Sequence, residues 1–286
     1  MTDPLTFSTN RRFSSRVLVA EDNPVHRSLV RSLLEQMGCN VDAVGDGLEA
    51  VESFSSATYD LVLMDWRMPK LDGVKATRQI RDLEEQRSPE SEERTPIIAL
   101  TAHALPGDRS RCLSAGMDDY LCKPVSRRNL DLMLAKWGTP AGAGVDYSGE
   151  GEVVGAPSSS DSILDMAQIE ELAAIERDGA PGLVSHLIDT YLADAPSKLL
   201  LLKTAAAEND SLGIQVATHS FKSASSTVGA HRLYQMCNDL ERDARSRQLD
   251  QLQERVDLIL AEYDLVEGEL NTLQARFASP EHSANG

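Results

Sequence analysis

Between residues 16 and 137, short apolar runs rich in β-branched residues alternate with stretches whose apolar positions recur every three or four residues. The runs fall at 17–20, 41–44, 61–64, 97–100 and 120–122, and Gly38, Gly45, Gly47, Gly73 and Gly116 punctuate the turns. Short apolar runs bounded by turn residues predict buried strands, and the periodicity between them predicts helices. Five strands alternating with five helices predict a doubly wound α/β domain, a parallel sheet covered on both faces.

The pattern changes after residue 137. Residues 138–162 read GTPAGAGVDYSGEGEVVGAPSSSDS, rich in Gly and Ser with no apolar period, which predicts a flexible linker spanning roughly 25 to 30 Å r.m.s.. Every later segment is helical in pattern, at 163–176, 183–193, 196–208, 211–228, 231–247 and 249–275, with a break at Pro196. With no strand signal, residues 163–278 predict an all-α four-helix bundle. Residues 1–15 and 279–286 are polar and read as a mobile lead-in and a tail.

At 286 residues the chain fits two domains, and its charge of −17 is unevenly shared. Residues 1–140 hold 18 basic and 21 acidic side chains, a net of −3, and residues 141–286 hold 10 and 24, a net of −14. Phosphate neutralisation needs a basic face, so nucleic acid is excluded as the expected partner. The longest uncharged run, 95–107, is 13 residues, short of the ~20 needed to span a bilayer. The cysteines at 39, 112, 122 and 237 have no paired spacing, which points to a reduced, cytoplasmic setting.

In an open parallel sheet, chemistry gathers at the carboxyl edge of the strands. The first strand runs into Glu21 and Asp22, the third ends at Asp65, the fourth at Thr101, and the fifth at Lys123 followed by Pro124. Each alone reads as a cap or a surface residue. Together, at the ends of different strands, they bring three carboxylates, a hydroxyl and an ammonium to one crevice. Crowded carboxylates repel, and a hard divalent cation such as Mg²⁺ removes that cost while keeping room for phosphate oxygens. Two acids then hold the metal while Asp65 attacks phosphorus, giving an acyl phosphate.

These residues lie in VLVAEDNP (17–24), DLVLMDWRMPKLDG (60–73), PIIALTA (96–102) and DDYLCKPV (118–125). The combination resembles the receiver domain of two-component response regulators, a flavodoxin-like five-stranded fold, over about residues 16–137. The resemblance implies that Asp65 is the phosphoacceptor and that Glu21, Asp22, Asp65 and the backbone carbonyl of Arg67 bind Mg²⁺. It implies further that Thr101 and Lys123 contact the phosphoryl group and that the Lys123-Pro124 bond is cis. Tyr120 matches the family's aromatic switch, which moves with Thr101, and reads equally as a half-buried core tyrosine. Arg67 and His103, two residues beyond Asp65 and Thr101, are expected to tune the lifetime of the phosphate.

The second half offers a histidine. Ile214, Ala217, Phe221, Ala224 and Val228 form one apolar helical stripe, and His219, about 200° from Ala217, points away from it. Lys222, Ser223 and Ser226 follow His219 on that outward face. An imidazole is a competent phosphoryl acceptor, an adjacent cation attracts phosphate, and small side chains permit docking. His26, His186, His231 and His282 have no such context and read as isolated surface residues. The stretch THSFKSASSTVGAHRL (218–233) resembles the active helix of histidine phosphotransfer domains, which implies that His219 is a phosphoacceptor supported by Lys222. Ser223 departs from the glycine usual in that family and keeps the position small.

The expected function is phosphorelay signal transduction. Phosphate passes from the phosphohistidine of an upstream sensor histidine kinase to Asp65, then to His219, then to the receiver of a downstream response regulator. Such two-module tails resemble the carboxyl end of hybrid sensor kinases. No ATP-binding kinase core is evident, so the chain reads as a stand-alone relay protein or a piece of a larger kinase. Two other readings stay open: a receiver whose phosphorylation tunes binding or sequestering of a partner with little transfer, and a metal-dependent hydrolase. The hydrolase is disfavoured by Arg67, which stands where such enzymes place a second acid.

Overall fold

The computed structural model describes residues 13–87, 94–101, 112–123, 125–139, 162–177 and 180–277. Most of the helix expected between the fourth and fifth strands, nearly all of the expected linker, and the tail 279–286 lie outside these residues, although 112–114 are helical. In the first half, β1 (Arg16–Ala20), β2 (Asn40–Val44), β3 (Leu61–Asp65), β4 (Ile97–Thr101) and β5 (Asp119–Cys122) form one parallel sheet. The helices α1 (Pro24–Gln36), α2 (Gly47–Ser56), α3 (Gly73–Arg87) and α4 (Arg127–Trp137) accompany them. The strand order is β2-β1-β3-β4-β5, so the chain reverses direction across the sheet between β1 and β3 and opens a crevice at their carboxyl ends.

All of β3 and β4 is buried, as unbroken apolar runs in a two-sided sheet should be. Local chemistry sets where helices begin. Asp46 accepts from the N–H groups of Leu48 and Glu49 at 2.9 Å each, and Ser126 accepts from Asn129 N at 3.2 Å. Part of the expected lead-in is tied down: Phe13 is buried, its N–H donates to Met37 O at 2.8 Å, and Ser15 Oγ accepts from Thr139 N at 2.7 Å. A polar flank around one aromatic residue concealed this anchor.

The second half is helical throughout its described residues, with α5 (Met166–Arg177), α6 (Leu183–Ala207), α7 (Ser211–Thr227), α8 (His231–Ser246) and α9 (Leu252–Phe277). Successive contacts α6 to α7, α7 to α8, α8 to α9 and α9 to α6 close a four-helix ring, with α5 packed on α6. Its centre is aromatic: Tyr191, Phe221 and Tyr263 lie with ring centroids 6.0 to 6.3 Å apart. The stripe Ile214, Ala217, Phe221, Ala224 and Val228 is buried as expected. The break expected at Pro196 is absent, and α6 runs through it. Proline removes one backbone donor, yet Leu187, Ile188, Tyr191 and Ala195 before it and Leu199 and Leu202 after it bury a common face, and that packing outweighs the local cost.

Gly73 fixes how the loop after β3 returns. A Cβ there would stand 2.0 Å from the carbonyl oxygen of Asp65. Gly73→Ala is therefore expected to destabilise the first domain by about 2 kcal/mol or more. Urea unfolding followed by tryptophan fluorescence measures it cleanly, because Trp66 and Trp137, the only tryptophans, both belong to that domain.

Candidate functional site

Register aligns the acids. Ala20 pairs with Met64 and Asp65 with Leu100, so Glu21 follows β1 at the level of Asp65, and Thr101 pairs with Cys122, one residue before Lys123. Ligand oxygens of Glu21, Asp22 and Asp65 all lie within 4.8 Å of one another. Lys123 Nζ is 2.8 Å from Asp65 Oδ2, and Lys123 N donates to Thr101 O at 2.7 Å. Arg67 N approaches Asp65 Oδ1 at 3.4 Å, because the loop turns back over its own carboxylate. Tyr120 is half-buried against the domain core. His103 and Pro124 lie outside the described residues.

Three carboxylates bring hard oxygen donors together beside the Lys123 ammonium. That donor set fits a small divalent cation. His26, read from sequence as an isolated surface residue, is part of this region: its Nδ1 lies 2.8 Å from Glu21 Oε2. The signal was its position in the first turn of α1, which brings its side chain back over the end of β1.

The histidine site is built from two antiparallel neighbours. His219 and Lys222 lie one turn apart on α7, and Asn238, Glu241 and Arg245 recur at helical spacing on α8. His219 Nδ1 is 3.3 Å from Glu241 Oε1, and Lys222 Nζ is 2.7 Å from Glu241 Oε2 and 3.0 Å from Asn238 Oδ1. Arg245 also pairs with Glu241. Lys222 thus differs from the outward cation expected: its side chain and that of Glu241 are each 2 % exposed. Ser226 is also buried, and its own backbone carbonyl accepts from Gln168 Nε2 of α5 at 2.7 Å. Ser223 stays partly open. Sequence reading missed Glu241, although an acid at i+4 from Cys237 and i−3 from Ala244, inside an apolar stripe, signals a buried pair. His231 is not isolated either, since its Nε2 lies 3.1 Å from Asp165 Oδ2.

On the face of α7 that carries His219 and Ser223, Leu212 and Val216 are 69 % and 55 % exposed. Residues 212, 216, 219 and 223 fall in one stripe by steps of four, three and four. The imidazole therefore sits beside an uncovered apolar patch.

Two family models match the chain, one in each half. The response regulator receiver domain family matches residues 17–135, and the Hpt domain family matches residues 186–275. The chain belongs to the two-component phosphorelay proteins, with a receiver domain followed by an Hpt domain. It is similar to the carboxyl-terminal parts of hybrid sensor kinases. Sensor histidine kinase GacS of Pseudomonas protegens is 33 % identical over 255 residues, covering 86 % of this chain and 27 % of that one. Signal transduction histidine-protein kinase BarA of Escherichia coli K12 is 30 % identical over 244 residues, covering 85 % and 25 %. The chain thus spans about a quarter of the length of these relatives. Among solved structures, the receiver domain of sensor histidine kinase PA1611 from Pseudomonas aeruginosa PAO1, with magnesium in its active site cleft, is 48 % identical, covering 43 % of this chain and 97 % of that one, with a TM-score of 0.39. No helix among the described residues is long and apolar enough to cross a membrane.

The buried Lys222–Glu241 pair generates a stability prediction. Glu241→Leu leaves a buried ammonium without its carboxylate and is expected to cost the bundle roughly 3 to 5 kcal/mol. Adding Lys222→Met is expected to restore most of that loss. Urea unfolding followed by circular dichroism at 222 nm, on the single and double variants, checks it.

Proposed function

We propose that the chain relays phosphate from a kinase phosphohistidine to Asp65, then to His219, then to the receiver of a downstream response regulator. The observation that carries the first step is the convergence of Glu21, Asp22 and Asp65 with Lys123 on Asp65. Glu21, Asp22 and Asp65, with the backbone carbonyl of Arg67, would hold Mg²⁺, which when bound supplies positive charge to the phosphoryl oxygens.

An Asp65 carboxylate oxygen attacks phosphorus, a P–O bond forms, and the P–N bond to the kinase imidazole breaks with the electron pair returning to that ring. Lys123, which pairs with Asp65, and the Thr101 hydroxyl would meet the phosphoryl oxygens. Thr101 moving toward them vacates space on the β4 side, and Tyr120 on β5 is the aromatic that would turn inward.

In the second step the Nε2 lone pair of His219 attacks the phosphorus of the acyl phosphate, and the Asp65 carboxylate leaves. Positive charge grows on the imidazole as the bond forms. Glu241 faces Nδ1 and stabilises that charge, and it also selects Nδ1 as the protonated nitrogen, leaving Nε2 as the nucleophile. Lys222 and Arg245 offset the Glu241 carboxylate, so the incoming phosphoryl group does not meet net negative charge. Leu212 and Val216 offer an apolar landing for each partner receiver. A flexible connection gives a millimolar effective concentration where two linked sites can meet, so transfer between Asp65 and His219 of one chain is feasible.

Asp65→Asn is expected to abolish labelling of His219 by a phosphorylated cognate kinase. His219→Gln is expected to leave Asp65 labelled and to stop passage to the downstream regulator. Gel analysis of acid-stable and base-stable label separates aspartyl phosphate from phosphohistidine, and label on His219 in the Asp65→Asn protein would overturn the order.

A further inference from the structure

The first turn of α1 closes around one carboxylate of the acidic cluster. Asn23 Oδ1 accepts from the N–H groups of Val25 and His26, each at 3.0 Å, and so fixes where the helix begins. That start places His26 five residues past Glu21, with Nδ1 2.8 Å from Glu21 Oε2. The second carboxylate oxygen, Oε1, is approached by Asn23 N at 3.3 Å. Arg27 Nη1 donates to the backbone carbonyls of Glu21 at 2.6 Å and of Asp22 at 3.3 Å. One helical turn thereby grips the side chain of one acid and the backbone of both.

A ring nitrogen this close to a carboxylate oxygen carries its proton whether the ring is neutral or charged, so Nδ1 donates to Glu21 in either state. The other ring nitrogen, Nε2, has no hydrogen-bond partner among the described residues. The polar contact of the imidazole is therefore directed at Glu21. Carboxylates that ligate metals are held by such outer hydrogen bonds, and loss of the partner typically lowers metal affinity about 10- to 100-fold.

We propose that His26 is a positioning residue for the divalent-cation site: its Nδ1–H holds Glu21 in the orientation that brings the ligand oxygens of Glu21, Asp22 and Asp65 within 4.8 Å of one another. This rests on the reading of that cluster as a Mg²⁺ site. Asn23 places His26, His26 orients Glu21, and Arg27 braces the backbone beneath it. Mg²⁺ affinity is then set partly by a helix that supplies no ligand.

The test is a Mg²⁺ titration of the full chain, read by Trp66 fluorescence in a Trp137→Phe background, since Trp66 follows Asp65 directly. His26→Phe keeps a ring without a donor, and His26→Asn places an amide donor near the position of Nδ1. His26→Phe is expected to weaken Mg²⁺ about 10-fold or more, and His26→Asn to stay within about threefold of the parent. The urea midpoint in EDTA is expected to change far less than the affinity, which a purely structural role would reverse. Where Phe is not accommodated, His26→Leu serves the same comparison. Parent-like affinity in the donorless variant, or an Asn variant as weak as that variant, would overturn the role of His26. A parent protein that does not bind Mg²⁺ would overturn the reading of the site itself.

Discussion

Three carboxylates whose ligand oxygens lie within 4.8 Å of one another repel, and the rest of the receiver domain exists to hold them there. The force that overcomes the repulsion is burial of the central strands, since β3 and β4 are enclosed along their full length. Each strand is too short to be stable alone. Parallel pairing in fixed register makes their ends coincide, and a slip of one residue would move Asp65 to the wrong level and face. Lys123 offsets one of the three charges through Asp65 Oδ2, at 2.8 Å.

The Hpt domain solves the opposite problem with the same kind of contact. Glu241 is one carboxylate with two cations and an imidazole around it, Lys222, Arg245 and His219. Burial of Glu241 and Lys222 makes their contact stronger than it would be in water and makes its satisfaction necessary. A rigid four-helix ring with Tyr191, Phe221 and Tyr263 at its centre supplies the fixed spacing between α7 and α8 that the cluster needs. The excess acid of the second half is therefore compatible with a locally neutral or positive active face.

The strands, their carboxyl ends and the acids on them were legible in the sequence because a period of two or an unbroken apolar run, followed by a polar residue, is a local signal. The helix stripe through Phe221 was legible for the same reason, as was the orientation of His219 away from it. Pro196 misled because local backbone cost is visible in sequence and the packing on either side of it is not. Lys222 misled for a related reason: helical phase put it near His219 but could not show that Glu241, on another helix, draws it inward. His26 was read alone because its partner is defined by the chain's turn from β1 into α1, which depends on the cap at Asn23.

Those errors share one cause. Pattern within an element predicts which side chains face the core, and chemistry between elements depends on pairs that no single periodicity contains. Charged residues at buried positions are where this matters most, since burying a lone charge is costly enough that a partner must exist. Glu241 inside an apolar stripe satisfies that condition, His26 is a buried polar group five residues past Glu21, and both touch residues to which the chemistry is assigned. In each domain a buried partner orients a side chain of the candidate site: His26 holds Glu21, and Glu241 faces Nδ1 of His219. The motif is visible within an element; the pairs that orient its side chains lie between elements or across a turn.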